Sequence, residues 1–548
     1  MSASVAYASK LPRAPIGAIL LVLIMGLPLF WLAGAALLSL RGENGIAAVM
    51  LPIAVRETGL LMLAVGLGTG FLGLAAAWLV THCEFPLRRV FDWALVLPLA
   101  IPTYLAAYCF TEVLDFTGPV QQALRALIRA DSIDDYWFPQ IRSNAGAAIV
   151  LSLVLYPYVY LSCRAFFLMQ SGSASAAART LGADGLRAFF TILLPLSRPA
   201  LIVGITLAML EVLSDLGAVQ YFGVNSLTAV IYSTWINRSS FGGAAQLAVT
   251  IVLIVGLLIF AERWARNERL YLGYRDSKVP PPRQTLKGIG AVLALAFCSA
   301  LLLAGFLLPV GELLSLARRR LDSTTLASVA GAFGSTMSLA LSGALLTMVV
   351  GFYAARRGGK DQAIMSRAAI RFATLGYAIP GTVLALGLLQ PLGYGDRAIN
   401  GLTRWALDFS PGLILSGSVV ALLYVYCIRF LAIAHSTLAE GAEKRGPSML
   451  DAGRVLGARG ISLLLRVDLP TLVPALLAAG TLVFVEIVKE LPATLLLRPL
   501  GVETLSTLVY AKANTGLFAE AALPALAIVI AGLIPIVLAG QLSDRRHV

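Results

Sequence analysis

Residues 451–470 read Asp451-Ala452-Gly453-Arg454-Val455-Leu456-Gly457, nine further residues, then Val467-Asp468-Leu469-Pro470. Residues 176–195 read Ala176-Ala177-Ala178-Arg179-Thr180-Leu181-Gly182, nine further residues, then Ile192-Leu193-Leu194-Pro195. The two stretches lie 275 positions apart, and the same register carries Pro199, Glu211 and Leu216 onto Pro474, Glu486 and Leu491. Upstream, Thr58, Gly73, Ala77 and Pro102 recur as Thr336, Gly351, Ala355 and Pro380, each 278 positions later. One small deletion in a loop accounts for the change of three. A register held over so many positions marks a tandem duplication.

The composition says what is duplicated. Of 548 residues, 58% are hydrophobic and only 13% charged, against about 25% charged in soluble proteins; the mean hydropathy is +0.84. Soluble, disordered, collagenous and disulfide-scaffold classes are excluded, leaving an all-α polytopic membrane protein. Apolar runs fall at about 15–40, 57–80, 91–111, 145–169, 199–221, 243–263, 288–316, 335–355, 369–392, 412–437, 472–497 and 520–541, which predicts about 12 transmembrane helices. Between the sixth and seventh, Arg263 to Lys287 holds seven Lys/Arg and the run Pro280-Pro281-Pro282, a composition that suits a cytoplasmic linker. The expected organisation is two homologous six-helix halves, 1–264 and 288–548, joined by the linker 265–287. Six spans return the chain to its starting side, so the halves run parallel.

The net charge of +13 reflects Lys/Arg-rich cytoplasmic loops and not a nucleic-acid surface. Arg88, Arg89, the midpoint linker, Arg356, Arg357, Lys360 and Arg367 fall on one predicted side. The acidic stretch with Glu112, Asp115, Asp131, Asp134 and Asp135 falls on the other. Both termini are therefore expected in the cytoplasm. Arg318, Arg319 and Arg320 go against this pattern, since they follow the seventh span on the predicted outer side. Five scattered cysteines, Cys83, Cys109, Cys163, Cys298 and Cys427, read as small core hydrophobes. The apolar run Ile16 to Leu40 is too long for a signal peptide and reads as a retained first span.

The repeated loop segments, about 171–196 and 439–471, have a physical logic of their own. Small residues and a short helix ended by Gly make a compact element that fits a partner's groove, with Gly182 and Gly457 allowing a positive-φ turn. Leu194-Pro195 and Leu469-Pro470 then set the start of the next span. These segments resemble the cytoplasmic coupling loop (the EAA motif) of ATP-binding-cassette importer permeases, whose pattern is Glu-Ala-Ala, three residues, Gly, nine residues, Ile-x-Leu-Pro. The departure is specific: Ala176 and Asp451 stand where the family has Glu. The resemblance implies ATPase-coupling roles for Ala176, Ala177, Ala178, Gly182, Leu194, Pro195, Asp451, Ala452, Gly453, Gly457, Leu469 and Pro470. It further implies two copies of an ATPase subunit, an extracytoplasmic substrate-binding protein, and a bacterial inner-membrane location. No Gly-x4-Gly-Lys-Ser/Thr loop occurs in the sequence, so no cofactor is expected on this chain and ATP belongs to the partner subunit.

Beyond each loop segment stand Glu211-Val-Leu-Ser-Asp215 and Glu486-Ile-Val-Lys489-Glu490-Leu-Pro-Ala-Thr. These are similar to the fused permeases of ferric iron importers, although permeases for thiamine and phosphonates share the architecture. On a continuous helix Glu211 and Asp215 would share a face, as would Glu486 and Glu490. Counted from Ala200, Glu211 would lie about 16 Å into a hydrocarbon core of about 30 Å. Ionisable groups at that depth face a bundle interior or a wet pathway, and carboxylates suit a hard cation. Glu211, Asp215, Glu486, Lys489 and Glu490 are thus candidate pathway residues; the competing role for Lys489 is to neutralise a carboxylate and pin the helices. Pro102 and Pro380, each in Ala-Ile-Pro, are candidate kinks in the third spans. His82, His435 and His547 form no ligand spacing, so no dedicated metal site is expected, and Tyr156, Tyr158 and Tyr160 read as packing residues. An ion-gradient-driven secondary transporter would share the duplication but would not need two loops of fixed spacing. An intramembrane enzyme is disfavoured, because no His-Glu-x2-His motif occurs.

Overall fold

A computed structural model of the chain describes residues 16–39, 44–169, 189–267, 283–319, 323–357, 364–446 and 448–544. Among the described residues, ten helices are long and apolar enough to cross a membrane, or twelve if each of two bent helix pairs is one span. Among the described residues the only strand pairing is a parallel bridge of two residues on each side, Cys83–Glu84 with Gln284–Thr285. Arg283 and Arg88 both reach the Glu84 carboxylate, at 3.7 and 3.1 Å. Residues 283–285, at the end of the predicted linker, are therefore tied to the loop after the second span.

The bent pairs are the third spans of each half. The runs 91–111 and 369–392, expected as continuous helices, are broken: Arg88–Ala100 meets Thr103–Ile128 at 94°, and Ile364–Ala378 meets Gly381–Leu407 at 111°. The cause is local. Ile101 (φ −96°, ψ 117°) and Ile379 (φ −93°, ψ 129°) are extended, because the ring of a following proline excludes helical backbone at the residue before it. Pro102 and Pro380 thus end one helix and start another.

The fifth spans are interrupted too. The expected runs 199–221 and 472–497 are observed as Leu194–Ser214 followed by Gly217–Tyr221, and Leu469–Lys489 followed by Pro492–Leu497. Each long helix is preceded by a π-turn in the same register, Phe189–Leu193 and Leu464–Asp468.

The chain forms two compact units that cross the sequence halves. One gathers the helix Ile16–Ser39 as far as Leu32 with Ser338–Ile379 and Leu384–Ile487. Here the first helix is seated tightly: a Cβ on Gly387 would come within 2.5 Å of the Pro28 carbonyl, and Trp31 Nε1 donates to Gln390 at 3.0 Å. The other gathers 33–337, 380–383 and the chain from Val488 on. Its core stacks Ala76, Ala77, Phe91, Leu95, Tyr156, Tyr160, Phe167 and Cys298. Tyr156 and Tyr160 donate to the Leu95 and Asp92 carbonyls at 2.9 and 2.8 Å, and Arg164 grips the Asp92 carboxylate through two nitrogens.

The duplication is visible atom by atom. Gly73 leaves room for Val159 and Tyr160, and Gly351 does the same for Ala434 and His435, in the sequence register. Thr58 accepts the Leu227 amide at 2.9 Å, and Thr336 accepts the Leu505 amide at 2.8 Å. Thus each half uses a buried threonine hydroxyl to hold the start of the helix beyond its broken fifth span.

Candidate functional site: a loop helix and two broken spans

In the second half, the segment read from sequence as a coupling loop is described except at position 447. Helix Val419–Arg445 ends at Gly446 (φ +74°), a two-turn helix Ser448–Val455 follows, and Gly457 turns the chain with φ +90°. The Ala458 amide returns to the Gly453 carbonyl and the Gly457 amide to that of Arg454, both at 3.0 Å, which closes the helix with a left-handed glycine cap. Gly453 is buried, and a Cβ there would meet Leu463 at 2.9 Å and Val467 at 3.0 Å. The small residue thus lets the short helix close on the residue that begins Val-x-Leu-Pro, which explains why the two parts of the motif keep a fixed distance. Val455 and Leu456 are each 87% exposed and Ile461 is 73% exposed. Asp451 and Ala452 are exposed as well, with Asp451 paired to Arg454 at 2.7 Å.

Leu469 and Pro470 begin the following helix, as Leu194 and Pro195 do in the first half. Between the loop and this helix lies Asp468, 1% exposed. It pairs with Arg445, at the end of the preceding span, and with Arg356, at 3.2 Å, from the end of Ser323–Arg357. Sequence reasoning missed this knot, since its three members come from three spans. In the first half, Ala176, Ala177, Ala178 and Gly182 lie outside the described residues.

At the broken fifth spans, the four candidate carboxylates separate into two kinds. Glu211 and Glu486 are half-buried within the long helices. Asp215 and Glu490 stand at the breaks, so each pair is not on one continuous helical face as the sequence suggested. Asp215 accepts the Ala218 amide at 2.9 Å. Glu490 accepts the Ala493 and Thr494 amides at 2.9 and 3.0 Å and the Thr494 hydroxyl at 2.6 Å. Each carboxylate caps the short helix that follows, where amides lacking helical partners and the helix dipole favour negative charge. The extra methylene of Glu490 lets it satisfy three donors. Asp215 makes one close bond of this kind, with the Gly217 amide and the Thr103 hydroxyl interacting more loosely, and its Oδ2 is buried without a close hydrogen-bond partner. Lys489 donates to the Leu99 carbonyl at 3.0 Å, so it holds the segment before Pro102.

Both breaks border Tyr104. A Cβ on Gly217 would lie 2.6 Å from Tyr104 Cβ and 3.0 Å from Leu491, and the charges of Glu490 and Asp215 both act on the Tyr104 hydroxyl. Tyr108 lies against Tyr104, with ring centroids 6.0 Å apart, and against Tyr221 at 4.5 Å. These tyrosines carry no sequence pattern that would have singled them out. Arg319, one of the anomalous arginines, acts with Arg142 on Glu112, so it has an acidic neighbour; Arg320 lies outside the described residues. His82 bonds to Thr81 and packs edge-on against Phe167. Among the described residues no group of three His, Cys, Asp or Glu side chains is placed to hold a metal.

Residues 69–264 match the sequence profile of the family described as binding-protein-dependent transport system inner membrane component. Over 536 residues the chain is 24% identical to the Fe(3+)-transport system permease protein FbpB 2 of Haemophilus influenzae, covering 96% of this chain and 98% of the relative. The molybdenum transport system permease protein ModB of Escherichia coli is 28% identical over 198 residues, 35% of this chain and 83% of the relative. The sulfate transport system permease protein CysT of Salmonella typhimurium is 26% identical over 213 residues, 38% of this chain and 74% of its own. The relative matched from end to end has both halves in one polypeptide, as the duplication here requires, and all three are permease subunits of transport systems, not enzymes. Residues 69–264 thus match the membrane component of binding-protein-dependent transport systems, and along its length the chain is similar to a membrane permease of such a system.

Proposed function

We propose that the chain is the permease of an ATP-driven importer of ferric iron, in which an extracytoplasmic binding protein delivers the ion and two copies of an ATPase subunit dock on the loop segments about 171–196 and 439–471. The observation that carries the iron reading is the full-length match to a ferric permease from another organism. Buried Asp215 and Glu490 at the breaks support it, because carboxylate oxygens suit a hard cation. In this reading Val455, Leu456 and Ile461 supply the apolar face that enters the ATPase groove, with Asp451 and Arg454 at its rim. The helix break at Gly457 keeps that face presented. The chain sits in the bacterial inner membrane with both termini in the cytoplasm.

A second reading, an oxyanion as cargo, draws on the molybdenum and sulfate relatives, which cover 35% and 38% of the chain. The test is uptake of radiolabelled iron, molybdate and sulfate by proteoliposomes holding this permease with its ATPase and binding protein. ATP-dependent uptake of iron alone supports the ferric reading. Uptake of molybdate or sulfate without iron overturns it.

A further inference from the structure

Four buried oxygens lie in the unit that holds both helix breaks: the hydroxyls of Tyr104, Tyr108 and Tyr221, none with a hydrogen-bond partner among the described residues, and Oδ2 of Asp215, which has no close partner although the Thr103 hydroxyl interacts with the same carboxylate. Tyr104 is 3%, Tyr108 4% and Asp215 7% exposed. Buried polar groups are otherwise almost always paired, so a concentration of them in one place points to a ligand. The tyrosine rings form a chain of contacts from Tyr104 through Tyr108 to Tyr221, and Phe518 meets Tyr221 edge-on at 6.1 Å. A pocket lined by Leu105, Tyr108, Cys109, Glu112, Leu313 and Phe518 shares Tyr108 with the cluster.

We propose that Tyr104, Tyr108, Tyr221 and Asp215 form a transit site for the cargo, a hard trivalent cation, at the helix breaks. For the identity of the cargo this rests on the ferric reading; the cluster of oxygens does not. Phenol and carboxylate oxygens are hard donors, and a phenol that ligates as phenolate releases its proton to water while its negative charge offsets that of the cation. Hydroxyl donors alone would also suit an oxyanion. Asp215, with Glu490 also acting on Tyr104, opposes one. Arg142 lies over the Tyr221 ring, 5.0 Å from its centroid, but its charge is held by Asp115 at 3.4 Å. The breaks give the site its form. A continuous fifth helix would bond the amides that now fix the two carboxylates, and would carry Gly217 away from Tyr104.

The test uses the intact permease–ATPase complex with ferric nitrilotriacetate as the probe. Ferric phenolate absorbs visible light by charge transfer, so the wild-type complex should gain a visible band on titration. The triple variant Tyr104→Phe/Tyr108→Phe/Tyr221→Phe, which keeps the rings, should lose that band. Its iron uptake in proteoliposomes should fall at least about tenfold, the factor that accompanies loss of one good ligand contact. Stimulation of ATPase activity by iron-loaded binding protein should persist, showing that the complex still assembles. Tyr156→Phe, which removes a buried hydroxyl already committed to the Leu95 carbonyl, should leave both band and uptake near wild type. Wild-type and triple-variant complexes that move iron equally well, or a band that survives the triple change, would overturn the site while the ferric reading stands. A wild-type complex that imports no iron would overturn both. Should the triple variant assemble poorly, Asp215→Asn in otherwise wild-type protein gives the same readouts, and unchanged uptake and band would again refute the site.

Discussion

In the second half, the residue before Leu-Pro is Asp468, clamped by Arg356 and Arg445; the same position in the first half is Leu193. Leu193 is buried in an apolar cluster, and the counterpart of Arg356 is Trp78, whose ring tilts against Phe189 at 5.3 Å. The counterpart of Arg445, Gln170, lies outside the described residues. The ion pair of the first half sits elsewhere, between Arg164 and Asp92, where the second half has Ala439 and Ile370. Two copies of one backbone plan thus bury this position by opposite means, one ionic and one apolar. The backbone plan survives duplication because either chemistry satisfies burial: an apolar side chain needs only contact, and a buried charge needs its partners.

The comparison can be broken most sharply at Asp468. Asp468→Leu copies the first half's residue but leaves two arginines facing an apolar group, and should cost about 3–5 kcal/mol, read as a lower unfolding midpoint of the purified permease. An unchanged midpoint would mean that the knot is incidental. The reverse change, Leu193→Asp, buries a carboxylate with no cation and should cost about 3 kcal/mol. Adding Trp78→Arg should recover part of this, through a coupling of about 0.5–3 kcal/mol; strict additivity would refute the equivalence of the two positions.

A smaller difference is expected at the breaks. Glu490→Gln loses charge-assisted bonds to three donors and should cost about 1.5–3 kcal/mol, whereas Asp215→Asn, with one close amide and two looser donors, should cost about 0.5–1.5 kcal/mol. Equal effects on the midpoint would contradict the capping geometry. The smallest effect on stability belongs to Asp451→Ala. Its exposed pair with Arg454 is worth less than about 1 kcal/mol, so any fall in stimulated ATPase activity reports coupling. That fall should exceed the one caused by Ala176→Gly. A topology check accompanies these. All five cysteines are buried, and burial pushes the Cys83 thiol up to about 11, so thiolate is scarce at neutral pH. An impermeant maleimide should react slowly with the wild type and quickly with single cysteines placed in the acidic stretch from Glu112 to Arg142. The opposite result, fast labelling within Arg263–Lys287 in intact cells, would reverse the orientation.

Much of the fold was legible because lipid imposes a long-wavelength signal: apolar runs report spans, and the constant register reports duplication. The breaks at Pro102 and Pro380 were legible as proline positions, but their angles were not. The breaks at Asp215 and Glu490 were hidden, because hydropathy continues through Leu216, Ala218 and Val219 and through Leu491 and Ala493, and hydropathy does not register where a carboxylate takes amides from the backbone. Tyr104 and Tyr221, or Arg356 and Asp468, meet only after distant spans pack, so no local pattern could announce them. Gly453 was legible as a small residue in a motif; its contact with Val467 was not.

The paired π-turns carry a historical consequence. A π-turn places one extra residue in a helix, and one residue is about 100° of rotation at 3.6 residues per turn. Phe189–Leu193 and Leu464–Asp468 hold that extra residue at equivalent positions, whereas the π-turn Leu303–Leu307 has no counterpart in the α-helical Ile16–Ser39. An insertion shared in one register points to a single ancestral half that already carried it, whereas the third belongs to the second half alone. Deleting one residue from a single π-turn would turn the whole fifth helix below its break by about 100°, swinging Glu211 or Glu486 off its present face while its counterpart stayed in place.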